Sequence, residues 1–402
     1  MFDSFIRLVR DIYQTDQFIP LHEPRFLGKE KQYLLDVIDS TFVSSVGPYV
    51  GQFEAKIAEY CGAKHAIATV NGTAALHVAL LLAGVKPGEE VMTQPVTFVA
   101  TCNAINYCGA EPVFVDVDRA TLGLSPRALA DFLAEFGEQR VDGVWNKRSG
   151  KRIAACLPMH TFGQPCDMLG LLQVCERHGI PLVEDAAEAL GSHIVGSNSF
   201  DPSAVSANEF APTPATKHAK YCGTFGKLGV LSFNGNKIIT TGGGGMILTD
   251  DDELARQAKH LTTTAKLPHA WRFVHDQVGY NYRLPNLNAA LGLAQLEQMP
   301  LFVQRKRELA ERYIAWANDA GVEIVVEPVG ARANYWLNAL LLSDEAERER
   351  FLTDSNAQGV MTRPLWELMP NLPMYSHCQT DDLCNSRWLA ERLVNIPSSV
   401  VS

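Results

Sequence analysis

Polar side chains stand at three places in this chain where a buried layer of strands and helices would favour apolar ones. The first is the segment Asn71-Gly72-Thr73-Ala74, which follows a short apolar strand pattern and begins a predicted helix. Backbone N–H groups at a helix N-terminus, together with the Thr73 hydroxyl, form a site for an anion such as phosphate. The alternative is that Thr73 serves only as the N-cap of this helix.

The second place is the acidic segment Glu184-Asp185-Ala186-Ala187-Glu188, which comes directly after the apolar run 180–183. A carboxylate at the carboxyl end of a parallel strand lies where open α/β sheets bind their ligands. Asp185 could there accept a hydrogen bond from a pyridinium nitrogen and keep that nitrogen protonated. The alternative is that this carboxylate only caps a helix.

The third place is the run from Ser232 to Lys237, which is followed by four glycines at 242–245. A lone lysine beside a flexible glycine run is most often only a solvated side chain. The glycines stand after the lysine and before the strand pattern 246–249, which fits a tight connection between strands better than a phosphate-binding loop. The motifs of dinucleotide-binding, NTP-binding, zinc-protease and serine-hydrolase sites do not occur at the expected places, which weakens those interpretations.

An alternation of strands and helices must position these segments. Strand patterns at 66–70, 90–93, 111–117, 153–159 and 181–184 alternate with helix patterns, which predicts an α/β fold with a mainly parallel sheet covered by helices on both faces. A long helix at 300–318 leads into strands at 322–327 and 336–342, a helix at 345–358 and a closing helix at 385–393. We therefore expect an N-terminal helix or arm (1–29), a large α/β domain (30–300) and a smaller α+β domain (301–402).

Charge and composition exclude several classes of partner. The net charge is −10 and no dense Lys/Arg block occurs, which argues against a nucleic-acid partner. The nine cysteines are scattered without a C-x-x-C pair, which is typical of buried thiols in a reducing compartment and not of a disulfide framework or a metal site. The first residues lack the apolar core of a signal peptide, and no stretch of about 20 apolar residues occurs. We expect a cytoplasmic protein with no membrane partner.

The three polar segments, in this order and spacing, resemble those of the nucleotide-sugar aminotransferases of pyridoxal-phosphate fold type I, the DegT/StrS group. The resemblance runs from about residue 30 to residue 399. It is carried by the segments 72–76, 95–101 and 184–187, by Ser232 and Phe233 with Lys237, and by Gly279-Tyr280-Asn281-Tyr282-Arg283. Within this family the chain looks most similar to enzymes that aminate UDP- or GDP-linked 4-keto-6-deoxy-N-acetylhexosamines, which feed bacillosamine, legionaminic acid and related surface sugars.

This similarity implies roles for the residues around the cofactor ring. Lys237 would bind pyridoxal 5'-phosphate covalently and later carry the proton between the cofactor and the substrate carbon. Asp185 would face the pyridine nitrogen and favour the electron-accepting form of the ring. Phe98 would stack on the ring face, although a core aromatic is a compatible interpretation. Glu188 would bond near the ring, at a position where many relatives carry Gln or His.

The similarity also implies how the cofactor phosphate is held. The helix N-terminus at Gly72, the Thr73 side chain, the Ala74 backbone and Ser232 would surround it. Asn281 would reach the phosphate that is bound to the neighbouring subunit. The resemblance therefore implies a homodimer with shared active sites.

The implied reaction is a ping-pong transfer, in which an amino acid, expected to be L-glutamate, charges the cofactor and a nucleotide-linked keto-sugar then takes the amino group. His160 matches a family histidine close to the cofactor pocket, and the resemblance implies that it contacts the substrate. A first alternative is an amino-acid aminotransferase, which needs an arginine to fork the carboxylate of both substrates; Arg283 and Arg363 are the candidates. A second alternative is a non-catalytic regulator, against which the retained Lys237 argues.

The segment 197–220 departs from the family pattern. It is rich in Ser, Pro, Ala and Asn, and it separates the Asp185 segment from the turn Gly223-Thr224-Phe225-Gly226 by more residues than in close relatives. Long loops inside compact domains are commonly functional lids or binding loops. We expect this segment to reach the sugar pocket or the partner subunit.

Overall fold

A computed structural model describes residues 2–195 and 219–401 of the chain. Of the segment 197–220, all but residues 219 and 220 lie outside the described residues, so its role as a lid or binding loop stays a prediction. The nine cysteines all lie in the described part and are free thiols.

The centre of the fold is a twisted sheet with the strand order β3-β2-β6-β7-β10-β11-β1. Its strands are β1 (His65–Thr69), β2 (Glu90–Thr93), β3 (Glu111–Phe114), β6 (Arg152–Leu157), β7 (Val183–Asp185), β10 (Leu228–Ser232) and β11 (Gly245–Thr249). The β2/β3, β2/β6 and β7/β10 pairs are parallel, whereas β11 runs antiparallel to both β10 and β1. Backbone hydrogen bonds from Cys156 N to Pro181 O (3.0 Å) and from Asp185 N to Pro158 O (2.9 Å) join β6 to β7. The predicted mainly parallel sheet is thus confirmed.

Helices lie on both faces of this sheet because neighbouring strand residues point to opposite sides. Val91 and Val183 pack with helix α4 on one face, whereas the adjacent Met92 and Leu182 belong to the apolar cluster of the other face. A hairpin of β4 (Gly137–Arg140) and β5 (Gly143–Asn146) extends the sheet beside β6. The helices of this part are α2 (Glu30–Ser40), α3 (Pro48–Cys61), α4 (Gly72–Ala83), α5 (Val99–Tyr107), α6 (Pro126–Phe136), α7 (Met168–His178), α8 (Asp252–Thr262) and α9 (Asn286–Leu296).

The C-terminal part is an α+β unit, as predicted. Its antiparallel sheet has the order β12-β14-β16-β15, formed by β12 (Glu323–Ile324), β14 (Asn338–Leu341), β15 (Arg363–Pro364) and β16 (Leu393–Ile396). Its helices are α10 (Met299–Ala320), α11 (Glu345–Ala357) and α12 (Cys384–Ala390). The predicted closing helix at 385–393 is wrong at its end, because Leu393 begins strand β16 and pairs with Leu341. The apolar run that β16 forms is fully buried, which favours a central strand over a helix end.

The N-terminal helix α1 (Phe2–Tyr13) packs against the C-terminal part and not against the central sheet. Its apolar face, with Phe5 and Val9, shares a cluster with Tyr313 of α10 and Phe351 of α11. A small sheet of β8 (His193–Val195), β9 (Ala219–Tyr221) and β13 (Ala331–Arg332) also links the two parts of the chain. The exact domain boundaries at residues 29 and 300 stay predictions. Across the part of the chain that the structure describes, no helix is both long and apolar enough to cross a membrane.

Candidate active site

The three polar segments meet at one edge of the central sheet. Strands β7 and β10 are parallel neighbours, so Asp185 at the end of one lies beside the end of the other, which carries Ser232. The chain then turns, and the backbone N–H of Lys237 donates to Asn234 O at 3.0 Å. The Nζ atom of Lys237 lies 3.0 Å from Oε1 of Glu188, which follows β7. The second and third segments are therefore in direct contact.

Lys237 is not a solvated surface lysine, so that interpretation is wrong. Only 12% of its side chain is exposed. Its Nζ atom lies 4.0 Å from the centre of the Trp336 ring, close enough for a cation–π contact. The indole N–H of Trp336 donates to Asn236 O at 2.6 Å, which fixes the turn that carries the lysine. The amine is thus held between a carboxylate and an aromatic face.

The carboxylate of Glu188 is buried and shared between two donors. One oxygen pairs with Lys237, and the other accepts the backbone N–H of Phe162 at 2.8 Å. Burial raises the pKa of Glu188, and the nearby Lys237 ammonium opposes this shift. Because burial brings its proton affinity closer to that of an amine, the pair is suited to hold or pass a proton.

Asp185 is buried at the end of β7 and is held by two hydrogen bonds. The Thr101 hydroxyl donates to its Oδ2 at 2.7 Å, and the Ala187 N–H donates to its Oδ1 at 3.1 Å. Burial raises the pKa of Asp185, whereas the Thr101 hydrogen bond and the charge of Lys237 lower it. Residues 186–192 form turns that lead into strand β8, so Asp185 caps no helix there and that alternative is wrong.

The first segment forms a narrow cradle at the N-terminus of α4. The Asn71 side chain caps this helix and accepts the Ala74 N–H at 2.7 Å, so the interpretation of Thr73 as the cap is wrong. Since the first N–H groups of a helix have no acceptor within it, those of Gly72 and Thr73 remain for an anion. A Cβ atom on Gly72 would lie 3.2 Å from the Ser232 hydroxyl oxygen, so Ser232 borders the same helix end.

The glycine run completes this cradle as a tight strand connection, as expected from its position. A Cβ atom on Gly245 would lie 2.5 Å from the carbonyl carbon of Asn71 and 2.7 Å from Gly72 N. Only a glycine at the start of β11 therefore allows the strand to approach the helix end this closely.

Phe98 stands directly before helix α5 and leaves 48% of its surface exposed. The alternative of a core aromatic is therefore wrong. Its ring lies 6.1 Å from that of Trp366, which in turn packs 4.9 Å from Phe162. An exposed aromatic face beside this cluster can take a planar ligand.

Sequence and fold both match known proteins. Residues 26–401 match the DegT/DnrJ/EryC1/StrS aminotransferase family. The chain belongs to this family. GDP-perosamine synthase of Caulobacter vibrioides is 36% identical over 373 residues, which cover 91% of this chain and 89% of that protein. GDP-perosamine synthase of Escherichia coli O157:H7 is 36% identical over 387 residues, which cover 95% and 93%. The solved structure of the aminotransferase TlmJ from Streptoalloteichus hindustanus, 29% identical, matches with a TM-score of 0.80 over 95% of this chain and 93% of that chain.

Membership of the DegT/DnrJ/EryC1/StrS family confirms the predicted fold type and the pyridoxal-phosphate cofactor. The residues at the sheet edge fit this cofactor. The cradle at Gly72 and Ser232 offers N–H and hydroxyl donors to a phosphate, and a Cβ atom added at Gly245 beside it would meet the backbone of Asn71 and Gly72. Asp185 offers a buried carboxylate to a ring nitrogen, and Lys237 offers an amine to a carbonyl carbon. The individual roles of these residues remain proposals.

His160 does not fit the role of a substrate contact in this member of the DegT family. Its ring is fully buried, Nε2 lies 3.1 Å from Oε2 of Glu184, and Nδ1 accepts the backbone N–H of Cys166 at 3.1 Å. Because Nδ1 accepts, Nε2 carries the proton and donates to Glu184. Both nitrogens are in use, and the backbone N–H of His160 donates to Asp185 O at 3.0 Å. We correct the prediction: His160 supports the strand end that carries Asp185.

The two candidate arginines lie in different surroundings. Arg283 pairs through its backbone with Thr69 at the end of β1, and its Nε atom is buried without a hydrogen-bond partner among the described residues. Arg363 lies on the edge strand β15 and donates to Asn356 Oδ1 at 2.9 Å and to Thr362 O at 2.7 Å. These bonds tie Arg363 to helix α11 and its neighbouring residue, and its substrate role stays a prediction.

Asn281 is exposed, as a residue that reaches another subunit must be. It stands between Tyr280 and Tyr282, whose rings stack at 5.0 Å and pack on His77 of α4. This aromatic cluster holds the segment beside the helix that begins the phosphate cradle.

Sequence reasoning missed two residues of the site, Trp336 and Thr101. Trp336 is the first residue of a predicted strand, and nothing in its neighbouring residues indicates a contact with Lys237. Thr101 lay inside the motif that carries the family resemblance and received no role. Both contact the site across large separations in sequence, which a pattern along the chain does not reveal.

Proposed function

We propose that this chain is a pyridoxal-phosphate aminotransferase that moves an amino group from L-glutamate to C4 of a nucleotide-linked 4-keto-6-deoxy-N-acetylhexosamine, in the biosynthesis of surface-polysaccharide sugars. The observation that carries the proposal is the largely buried amine of Lys237, 3.0 Å from Glu188 and on the same sheet edge as Asp185. The relatives named GDP-perosamine synthase support a nucleotide-linked sugar as the substrate. Pyridoxal phosphate, L-glutamate and nucleotide-linked sugars all occur in the cytoplasm, where we place the enzyme.

Each residue of the site has a task in this proposal. When bound, pyridoxal phosphate supplies a carrier for the amino group and an electron-accepting ring. The N–H groups of Gly72 and Thr73, with the Ser232 hydroxyl, would hold its phosphate. Asp185 would hold a proton at the ring nitrogen, and Phe98 would cover one ring face. Over a full cycle the donor becomes a 2-oxo acid and the sugar ketone becomes an amine, so no external oxidant or reductant is needed.

Proton transfer at the substrate carbon would fall to Lys237. Its Nζ atom must be neutral to accept a proton, and Glu188 Oε1 lies within hydrogen-bond reach to take the proton that the ammonium carries. Burial of Glu188, which raises its pKa, makes this exchange less costly than with an exposed carboxylate. The Trp336 ring would keep the amine aimed at the site while it is not bound to the cofactor.

We further propose a homodimer with shared active sites. Trp271, Phe273 and Val278 are largely exposed on the segment that leads to Asn281. A second exposed apolar set lies on α2 and the loop after it: Leu35, Ile38, Phe42, Val43 and Val46. The loop after α2 is joined to the start of α9, because the Asn286 side chain donates to Phe42 O at 2.8 Å. Exposed apolar residues in groups are typical of protein–protein contacts, and we propose that a second copy covers them and brings Asn281 to the partner's cradle.

One observation favours a second candidate, an amino-acid aminotransferase. The buried Nε atom of Arg283 lacks a partner among the described residues, and a substrate carboxylate could supply one. In the sugar aminotransferase only the donor amino acid would use this arginine. In the alternative, a 2-oxo acid acceptor would use it as well.

The acceptor distinguishes the two functions. The enzyme is charged with L-glutamate, freed of excess donor, and offered UDP-, GDP- and dTDP-linked 4-keto-6-deoxy sugars and a panel of 2-oxo acids in separate reactions. We expect an aminated sugar nucleotide by mass spectrometry and little amination of the 2-oxo acids, apart from the return to glutamate. The matched control is Lys237→Ala, which should give no product. Amination of 2-oxo acids alone would establish the second candidate instead.

A further inference from the structure

Two buried threonines form a chain of hydroxyl groups that ends on the cofactor acid. Thr97 and Thr101 are both fully buried and stand four residues apart at the start of α5. The Thr101 Oγ1 atom lies 2.7 Å from Asp185 Oδ2, and the Thr97 Oγ1 atom lies 2.7 Å from Thr101 Oγ1. Beyond Thr97, the acceptors within reach are Met159 Sδ at 2.8 Å and Phe98 O at 3.4 Å.

The charge of Asp185 fixes the direction of this chain, because each hydroxyl has a single proton to donate. When Asp185 is ionised, Thr101 donates to Oδ2 and Thr97 donates to Thr101, so both hydroxyls make good hydrogen bonds. When Oδ2 is protonated and donates, the order reverses and the Thr97 proton must go to Met159 Sδ or Phe98 O. A thioether is a weak acceptor, and 3.4 Å is a long hydrogen bond.

We propose that Thr97 and Thr101 are positioning residues that keep Asp185 ionised. Their hydroxyl groups both make good hydrogen bonds only when the chain donates toward Asp185. The inference rests on the proposed function only in that Asp185 faces the ring nitrogen of the cofactor. Full burial by itself works against the ionised acid and raises the pKa of Asp185. The hydrogen bond that Thr101 donates counteracts this effect.

Other groups also act on Asp185, and the test must leave them unchanged. Lys237 favours the ionised form, Glu188 faces the same space, and Ala187 N–H holds Oδ1. His160 donates its backbone N–H to Asp185 O and its ring N–H to Glu184, and it also acts to lower the pKa of Asp185. None of these contacts passes through a threonine hydroxyl, so variants at positions 97 and 101 report on the chain alone.

The test compares holoenzymes carrying Thr101→Val, Thr101→Ser and Thr97→Val with the wild type. Valine keeps the shape of threonine and removes the hydroxyl, whereas serine keeps the hydroxyl. We expect Thr101→Val to weaken pyridoxal-phosphate binding about tenfold, the effect of one charge-assisted hydrogen bond at its lower end. Thr101→Ser should stay within about twofold, and Thr97→Val should lose about threefold, since Thr101 can still donate. The pH at which the absorbance of the lysine-bound cofactor changes should shift in Thr101→Val and recover in Thr101→Ser.

A cofactor analogue with C–H in place of the ring nitrogen separates this role from simple packing. With the analogue, wild type and Thr101→Val should bind equally, because no ring N–H remains for Asp185 to hold. An equal loss with both cofactors, or no loss with either, overturns the inference. Thr101→Ala serves as a second variant should valine prevent folding. A wild-type protein without the absorbance of a lysine-bound cofactor would instead refute the proposed function, so the two failures are distinguishable.

Discussion

Gly72→Ala should weaken cofactor binding without unfolding the protein. Gly72 borders the cradle, but its backbone does not adopt a conformation that requires glycine. The added Cβ atom would lie 3.0 Å from Ser232 Cβ and 3.2 Å from its hydroxyl oxygen, so Ser232 must give way by a few tenths of an ångström. In a helix, alanine is favoured over glycine by roughly 0.5–1 kcal/mol, which about offsets this mild crowding. The free energy of unfolding should therefore change by less than about 1 kcal/mol.

Cofactor binding should change far more than stability. If Ser232 moves and the new methyl group covers the first N–H groups of α4, the phosphate loses at least one charge-assisted hydrogen bond. Such a bond contributes about 1.5–3 kcal/mol, which corresponds to roughly 10- to 100-fold weaker binding of pyridoxal phosphate.

The assay is a fluorescence titration of the apoenzyme with pyridoxal phosphate, paired with urea unfolding of the same apoenzyme. Gly51→Ala is the matched control: Gly51 lies in α3, and an added Cβ atom there meets nothing within 4 Å. It should stabilise the fold by about 0.5–1 kcal/mol and leave the affinity for pyridoxal phosphate unchanged. If Gly72→Ala binds the cofactor as the wild type does, the phosphate is not held at this helix end and the assignment of the cradle is wrong.

The remaining predictions concern catalysis, the dimer and stability. Lys237→Ala should lose the absorbance of the lysine-bound cofactor and at least about 10³-fold in turnover, measured by release of 2-oxoglutarate; normal turnover would remove Lys237 from the mechanism. Asn281→Ala should bind pyridoxal phosphate about 1–2 kcal/mol more weakly, and at a cofactor concentration that leaves this variant mostly empty, mixing it with Lys237→Ala should raise activity above either variant alone, since a mixed dimer contains one intact site; no gain on mixing argues against shared sites. Asp116→Asn should lower the free energy of unfolding in urea by about 2–3 kcal/mol, because this buried carboxylate accepts two backbone N–H groups at the start of α12 at 2.7 and 2.8 Å with both of its oxygens, whereas the same change at the exposed cap Asp167 should cost less than about 0.5 kcal/mol, since asparagine caps a helix about as well. Burial lowers the pKa of Lys306 to about 7, so the unfolded state binds more protons between about pH 7 and pH 10 and stability gains from this group as pH rises through that window; Lys306→Met should remove that gain in unfolding experiments at successive pH values.

Much of the site could be predicted because the residues that form it end strands of one parallel sheet. The carboxyl ends of neighbouring parallel strands meet at the same edge, and Asp185 and Ser232 lie there. The place of Lys237 beside a glycine run did not by itself distinguish it from a solvated lysine, and only the family resemblance gave it a role. The family resemblance then joined these residues to one cofactor.

What the sequence did not reveal are contacts made across the fold. His160 looked like a pocket residue until Glu184 and Cys166 were seen to occupy both of its nitrogens. Trp336 contacts Lys237 from the C-terminal part, and Thr101 contacts Asp185 from helix α5. Nothing in the neighbouring residues of either one predicts these contacts.

The boundaries of short elements were equally hard to predict. Leu393 continued an apparent helix pattern, yet pairing with the strand opposite decided its conformation. A pattern along the chain reports which residues are apolar, but the partner strand determines which of them become extended.

The measurement that tests the central proposal most directly follows the amino nitrogen itself. The enzyme is charged with L-glutamate labelled with ¹⁵N, freed of excess donor, and mixed for one turnover with a UDP- or GDP-linked 4-keto-6-deoxy-N-acetylhexosamine. We predict that the label appears on the sugar nucleotide, at C4, in an amount equal to the charged sites. Label that stays on the enzyme, or that moves only to a 2-oxo acid, or a sugar that loses a hydroxyl group without gaining nitrogen, would contradict the assignment.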